Sequence, residues 1–159
     1  MTNEMISTVT VLTALGAALV AGIFFAFSTF VMAALGRLHP EKGIAAMQAI
    51  NVTVLNPWFF AVFFGTALSS LALALFGFLN LGADGSAYLV AGSLLYLIGC
   101  IGVTIALNVP LNNALAAVEP GSQKGAELWA RYLTRWTRWN HLRTAASLAA
   151  AASFIMAMR

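Results

Sequence analysis

Between Glu4 and Arg37 the chain carries no charged side chain. About 20 apolar residues cross the hydrocarbon core of a bilayer as a helix. A helix also satisfies its own backbone groups where no water can. The run therefore predicts a tilted transmembrane helix over about 6–35. It also sets the class of the whole molecule. Only eight basic and five acidic side chains serve 159 residues, of which 61% are hydrophobic. Soluble domains are about a quarter charged, so this chain needs lipid as its solvent, and its length suits one domain over 1–159.

Three further helices follow from punctuation and hydropathy. Asn56-Pro57 pairs a good N-cap with a proline at the first helical position, which starts a helix over about 56–79. The short turn Gly82-Ala83-Asp84-Gly85 leads into a third helix, about 86–109, which Pro110 ends or kinks. The last apolar stretch, Thr144 to Met158, is short for a span. It extends backward as an amphipathic cytoplasmic helix from about Gly125, giving a fourth helix over about 126–158. The expected fold is all-α: a membrane four-helix bundle with antiparallel neighbours.

Lysine and arginine fix the expected orientation. Arg37 and Lys42 lie between the first two helices. Lys124, Arg131, Arg135, Arg138 and Arg143 lie between the third helix and the apolar end of the fourth. Only Arg159 falls on the other side. The positive-inside rule then places both termini outside a multi-pass protein of the cell (inner) membrane. A basic cluster beside a span reads as a cytoplasmic boundary rather than as a nucleic-acid site. Glu4 stands where a signal peptide has its basic region, so the N-terminus is read as a span.

This topology gathers amides and aromatics on one membrane face. His39, Gln48, Asn51 and Asn56 come from the first connection. Asn108, Asn112 and Asn113 end the third helix, and Trp136, Trp139, Asn140, His141 and Arg143 enter the fourth. Trp129, Trp136, Asn140 and Arg143 recur at helical spacing, with Tyr132 on the same side. Arg143 adjoins the apolar run, where a cation is costly unless it faces a partner or a cavity. Glu41, Glu119 and Glu127 are the acids on that side. The structural alternative is that the amides cap helices and the tryptophans and arginines anchor at the interface.

Other features carry less. Cys100, the single cysteine, reads as a small buried hydrophobe in mid-helix. The two histidines have no metal-binding spacing, so no metal is expected. Ala14, Ala18, Gly22 and Ala26 form a small-residue ladder that suits close helix packing or contact with a second copy. The phenylalanines at 24, 25, 27 and 30 and at 59, 60, 63 and 64 suit packing, lipid contact or the wall of an apolar cavity.

Four stretches carry a family resemblance. They are Gly22-Ile-Phe-Phe-Ala-Phe-Ser28; Ala46-Met-Gln-Ala-Ile-Asn51 with Asn56-Pro57; Asn108-Val-Pro-Leu-Asn-Asn113; and Trp136-Thr-Arg-Trp-Asn-His-Leu-Arg143. In these the chain resembles the anthrone-oxygenase-like integral membrane proteins. The resemblance implies oxidation of a hydrophobic, aromatic or polyketide-like compound by molecular oxygen as co-substrate, without a further cofactor. Such chemistry needs a base, donors for a developing oxyanion, and a flat apolar slot. His141, or alternatively His39, is the expected base. Arg143, Asn140, Asn108 and Asn112 are the expected donors, and Trp136 and Trp139 hold a planar ring. Gln48, Asn51 and Asn56 complete the expected substrate site. The competing reading is a non-enzymatic protein: a binder of a lipid or quinone-like ligand, or a scaffold subunit.

Overall fold

A computed structural model describes residues 3–159. Among the described residues the chain is all-helical, with five helices and no strand. We label them α1 (3–36), α2 (Pro40–Thr53), α3 (Pro57–Leu79), α4 (Ser86–Ala116) and α5 (Gln123–Met156). Helices α1, α3 and α4 are long and apolar enough to cross a membrane. Their outward faces carry exposed apolar side chains such as Leu68, Leu71, Leu75 and Phe78.

Local chemistry explains the boundaries. The Asn56 side chain accepts from the Phe59 N–H at 3.0 Å and Pro57 follows it, so α3 begins where the dipeptide predicts. Gly85 adopts a left-handed φ of 78° in the turn before α4. A Cβ there would also run into the backbone of Ala157, so both turn and close approach require glycine. Ser122 caps α5 by accepting from the Gly125 N–H at 2.9 Å.

Two expectations need correction. The connection after the first helix is not a plain loop: Pro40 starts α2 at its first turn. Pro110 does not end the third helix, which runs on to Ala116. The reason is a wide π turn over Thr104–Asn108, in which the Val109 N–H bonds Thr104 O, five residues back. In an α-helix the proline ring would clash with the carbonyl four residues earlier. The wider turn moves that carbonyl away. A π segment over Leu95–Gly102 precedes it, and α1 contains another over Phe27–Val31.

The helices enclose two apolar clusters. One joins Phe24, Phe63, Leu73, Leu89, Tyr96 and Phe154 from α1, α3, α4 and α5. The other joins Met32, Ile44, Met47, Leu115, Trp129 and Trp136 from α1, α2, α4 and α5. Helix α2 approaches α5 at Gly43, where an added Cβ would lie 2.9 Å from the Trp129 ring and 3.0 Å from Leu35 O. We expect Gly43→Ala to destabilise the protein by about 1–3 kcal/mol through overpacking. Thermal unfolding in detergent checks this.

The small-residue ladder of α1 does not form one contact face. Ala14 is buried, but Ala18 and Gly22 are exposed, and a Cβ on Gly22 would meet nothing within 4 Å. A four-residue step turns a helix by about 400°, so the ladder drifts about 40° per step. The close approach of α1 to α3 occurs instead at Gly16, against the Thr66 side chain.

Candidate functional site

A layer of polar groups separates the two clusters. It begins with the face of α5 whose spacing is visible in the sequence. Trp129, Tyr132, Trp136, Asn140 and Arg143 are all buried. The first three rings stack in a column, with centroids 5.6 and 6.1 Å apart and planes within 21°. Asn112 of α4 holds the column in place. Its Oδ1 accepts from the Tyr132 hydroxyl and from Trp136 Nε1, both at 2.8 Å. Burial pushes the Tyr132 phenol above its ordinary value, so it stays protonated and donating.

Arg143 stands about two turns beyond this column. Its Nη2 donates to Asn140 Oδ1 at 2.7 Å and its Nη1 to Thr104 Oγ1 at 3.1 Å. The guanidinium carbon lies 4.0 Å from the centre of the Phe24 ring and 5.2 Å from that of Trp136. Its Nε is buried without a hydrogen-bond partner. The hydrogen bonds Arg143 makes thus go to neutral groups. The acids that the sequence offers for it, Glu41, Glu119 and Glu127, are exposed. A cation 4% exposed with neutral partners is a costly arrangement unless something anionic meets it.

The partners of Arg143 are themselves fixed. Asn140 Nδ2 donates to Phe24 O at 2.7 Å and to Ser28 Oγ at 2.8 Å, which aims its carbonyl oxygen at the arginine. Thr144 Oγ1 donates to Asn140 O, so at its contact with Thr144 the Ser28 hydroxyl is the donor. Thr104 donates to Cys100 O at 2.7 Å, which leaves its lone pairs for Arg143. The guanidinium is therefore positioned before any ligand arrives.

Arg143 faces a cavity of about 220 Å³. The wall is mostly apolar: Phe24, Phe27, Phe59, Phe63 and Trp136 line it, with Ile23, Met47 and Ile50 among the aliphatic residues. Its polar lining is Arg143, Thr104, Asn51 and Asn112. No carboxylate and no imidazole lines it. On one side it opens between α3 and α4, where the lining residues Phe60, Phe64 and Ile105 are exposed. On another it meets a groove between α2 and α4, lined by Gln48, Asn51, Asn112 and Asn113.

The candidate residues thus divide. Arg143, Trp136, Asn112 and Asn51 line the cavity. Asn140 and Asn108 are buried behind it; Asn108 Nδ2 donates to Trp136 O at 3.2 Å, and its Oδ1 has no partner. Gln48 donates to Leu115 O and Val118 O, where it closes the end of α4. Asn56 is the cap of α3. His141 lies outside the cavity on the exposed face of α5, because two residues from Arg143 turn a helix by about 200°. Trp139 is half-buried beneath Arg138, whose guanidinium carbon lies 5.8 Å from the ring centre. His39 is exposed ahead of α2. Sequence reasoning misses Thr104 and Ser28, whereas Phe24, Phe27, Phe59 and Phe63 take the cavity-wall role that their runs allow. Thr104 lies one helical turn before Asn108, and that spacing was the available signal.

Long apolar helices around an apolar cavity with a buried cation fit a helical membrane protein with an internal space. The model of the anthrone oxygenase family matches residues 58–153, from the start of α3 to near the end of α5. The chain belongs to that family. No curated protein and no solved structure matches it. The matched region contains Arg143, Asn140, Asn112, Thr104 and Trp136, whereas Phe24, Ser28 and Asn51 lie before it.

Proposed function

We propose that this protein is a membrane oxygenase that converts an activated methylene of a flat, hydrophobic, weakly acidic aromatic compound into a carbonyl, with Arg143 stabilising the substrate anion. The observation that carries this is the prepositioned guanidinium facing an aromatic cavity that supplies no negative charge. A cavity of about 220 Å³ is below the roughly 300–1,000 Å³ of ordinary ligand sites, which favours a compound of a few fused rings. Family membership supports the chemistry.

The reaction balances without another electron source. The CH₂ group and O₂ give C=O and H₂O, so the substrate carbon is oxidised and the oxygen is reduced. Deprotonation comes first, because only the delocalised anion is electron-rich enough to reduce oxygen. Arg143 lowers the cost of that anion. With no imidazole or carboxylate on the wall, the proton passes to water along the groove of Gln48, Asn51, Asn112 and Asn113. The Phe24 and Trp136 rings hold the aromatic plane, and the apolar wall also favours dissolved oxygen.

In this reading α1, α3, α4 and the apolar end of α5 form an antiparallel four-helix bundle across the inner membrane. Supporting contacts pair Gly16 with Thr66, Thr104 with Arg143, and Ser28 with Thr144. The groove end is cytoplasmic and both termini lie outside, because the basic residues cluster there.

The test is oxygen uptake by purified protein with a simple anthrone, with quinone formation followed in parallel. We expect uptake above autoxidation, one O₂ consumed per carbonyl formed. The absence of a base from the wall favours a second reading, a non-enzymatic binder of a quinone-like ligand. Saturable binding without turnover would select it.

A further inference from the structure

We propose that the cavity is loaded sideways from the bilayer, through the mouth between α3 and α4, by an uncharged aromatic weak acid that ionises only once beside Arg143. This rests on the cavity being a ligand site, and it adds the route and the charge state of the ligand. The two openings differ in chemistry. The mouth is framed by Phe60, Phe64 and Ile105, which are 37%, 51% and 62% exposed. All three lie on helices long and apolar enough to cross a membrane. Phe60 and Phe64 sit in the first two turns of α3, roughly 5–10 Å along the helix from its start at Pro57. That depth corresponds to acyl chain rather than water.

The other opening, beside Asn51 and Asn112, carries four amides, with Gln48 and Asn113 beyond them, set among Val52, Leu55, Val109 and Ala116, whereas the mouth carries none. An anion arriving from water would meet these amides, but no cation lines the groove to attract it. A neutral aromatic molecule is concentrated in the bilayer and meets the phenylalanine mouth directly. Once inside it reaches Arg143, loses its proton to water in the groove, and is held as the anion. Its charge then opposes return to lipid. The mouth admits apolar molecules and the groove passes protons, so the two openings divide the traffic.

The experiment uses full-length protein in phosphatidylcholine vesicles and measures association of 2-naphthol by stopped-flow fluorescence. 2-Naphthol-6-sulfonate, which carries a fixed charge, is the control. Ile105→Phe narrows the mouth, Phe64→Ala widens it, and Ala116→Phe obstructs only the groove. We expect Ile105→Phe to slow 2-naphthol association by about tenfold and Phe64→Ala to speed it. Ala116→Phe should leave the rate unchanged, and the sulfonate should not associate on the same timescale. Opposite rate changes at the mouth cannot both come from misfolding. Slowing by Ala116→Phe alone, equally fast binding of the sulfonate, or no saturable 2-naphthol binding would overturn the proposal. Binding through the mouth without oxygen uptake from any anthrone would leave this inference standing while removing the oxygenase reading.

Discussion

Arg143→Gln should lower anthrone-dependent oxygen uptake by about 10²–10³-fold, the usual cost of removing a prepositioned stabiliser of developing negative charge. Glutamine keeps polarity and much of the volume but not the charge. The loss should appear in kcat more than in KM, because the charge is needed where the anion forms. Arg143→Lys should recover only a small part. An ammonium is a compact point charge, whereas the planar guanidinium reaches Thr104 and Asn140 at once while lying over the Phe24 ring. Uptake unchanged in Arg143→Gln would remove Arg143 from the mechanism.

The second large effect is on stability. Asn140→Leu removes the acceptor for Arg143 Nη2 and the donor to Phe24 O and Ser28. A buried cation that loses this neutral partner is left unsatisfied, which should cost about 3 kcal/mol, the upper end for a buried hydrogen bond to a charged group. The double variant Asn140→Leu with Arg143→Leu should regain much of that, because apolar replacement of a whole buried polar group is often neutral. Thermal unfolding in detergent, arranged as a double-mutant cycle, reads the coupling. Additive losses in the double variant would mean that Asn140 matters for packing α1 to α5 and not for holding the arginine. The two predictions separate the roles of the pair: charge for turnover, support for the fold.

How much of this was legible in the sequence depends on which signal was local. Long uncharged runs gave the three membrane-length helices, and Asn56-Pro57 gave the start of α3. The buried face of α5 was legible because Trp129, Trp136, Asn140 and Arg143 follow helical spacing over many residues. His141 and Trp139 do not line the cavity, because nearness in sequence to Arg143 is not nearness in space on a helix. Asn56 and Gln48 have polar chemistry that serves helix ends, which a list of amides on one membrane face does not distinguish from a site. The partners of Arg143 were hidden for another reason. Thr104 and Ser28 are ordinary residues in apolar runs, and only the packing of three helices brings Thr104 to the guanidinium and Ser28 to Asn140 behind it. Pro110 reads as an end or a kink because sequence alone does not reveal a π turn that makes room for its ring.

The wide turn at Phe27–Val31 sets the angular phase of α1. It lies between Phe24, which stacks on Arg143, and Met32, which joins the cluster against α2 and α5. Deleting one residue there would swing the two halves of the helix by about 100° relative to each other. Phe24 and Met32 could then no longer both face α5, although every side chain in the run would still suit lipid. Insertions and deletions are thus constrained in α1 at a segment whose composition looks freely exchangeable. Its chain length, more than the identity of its residues, keeps the aromatic wall in register with the cation.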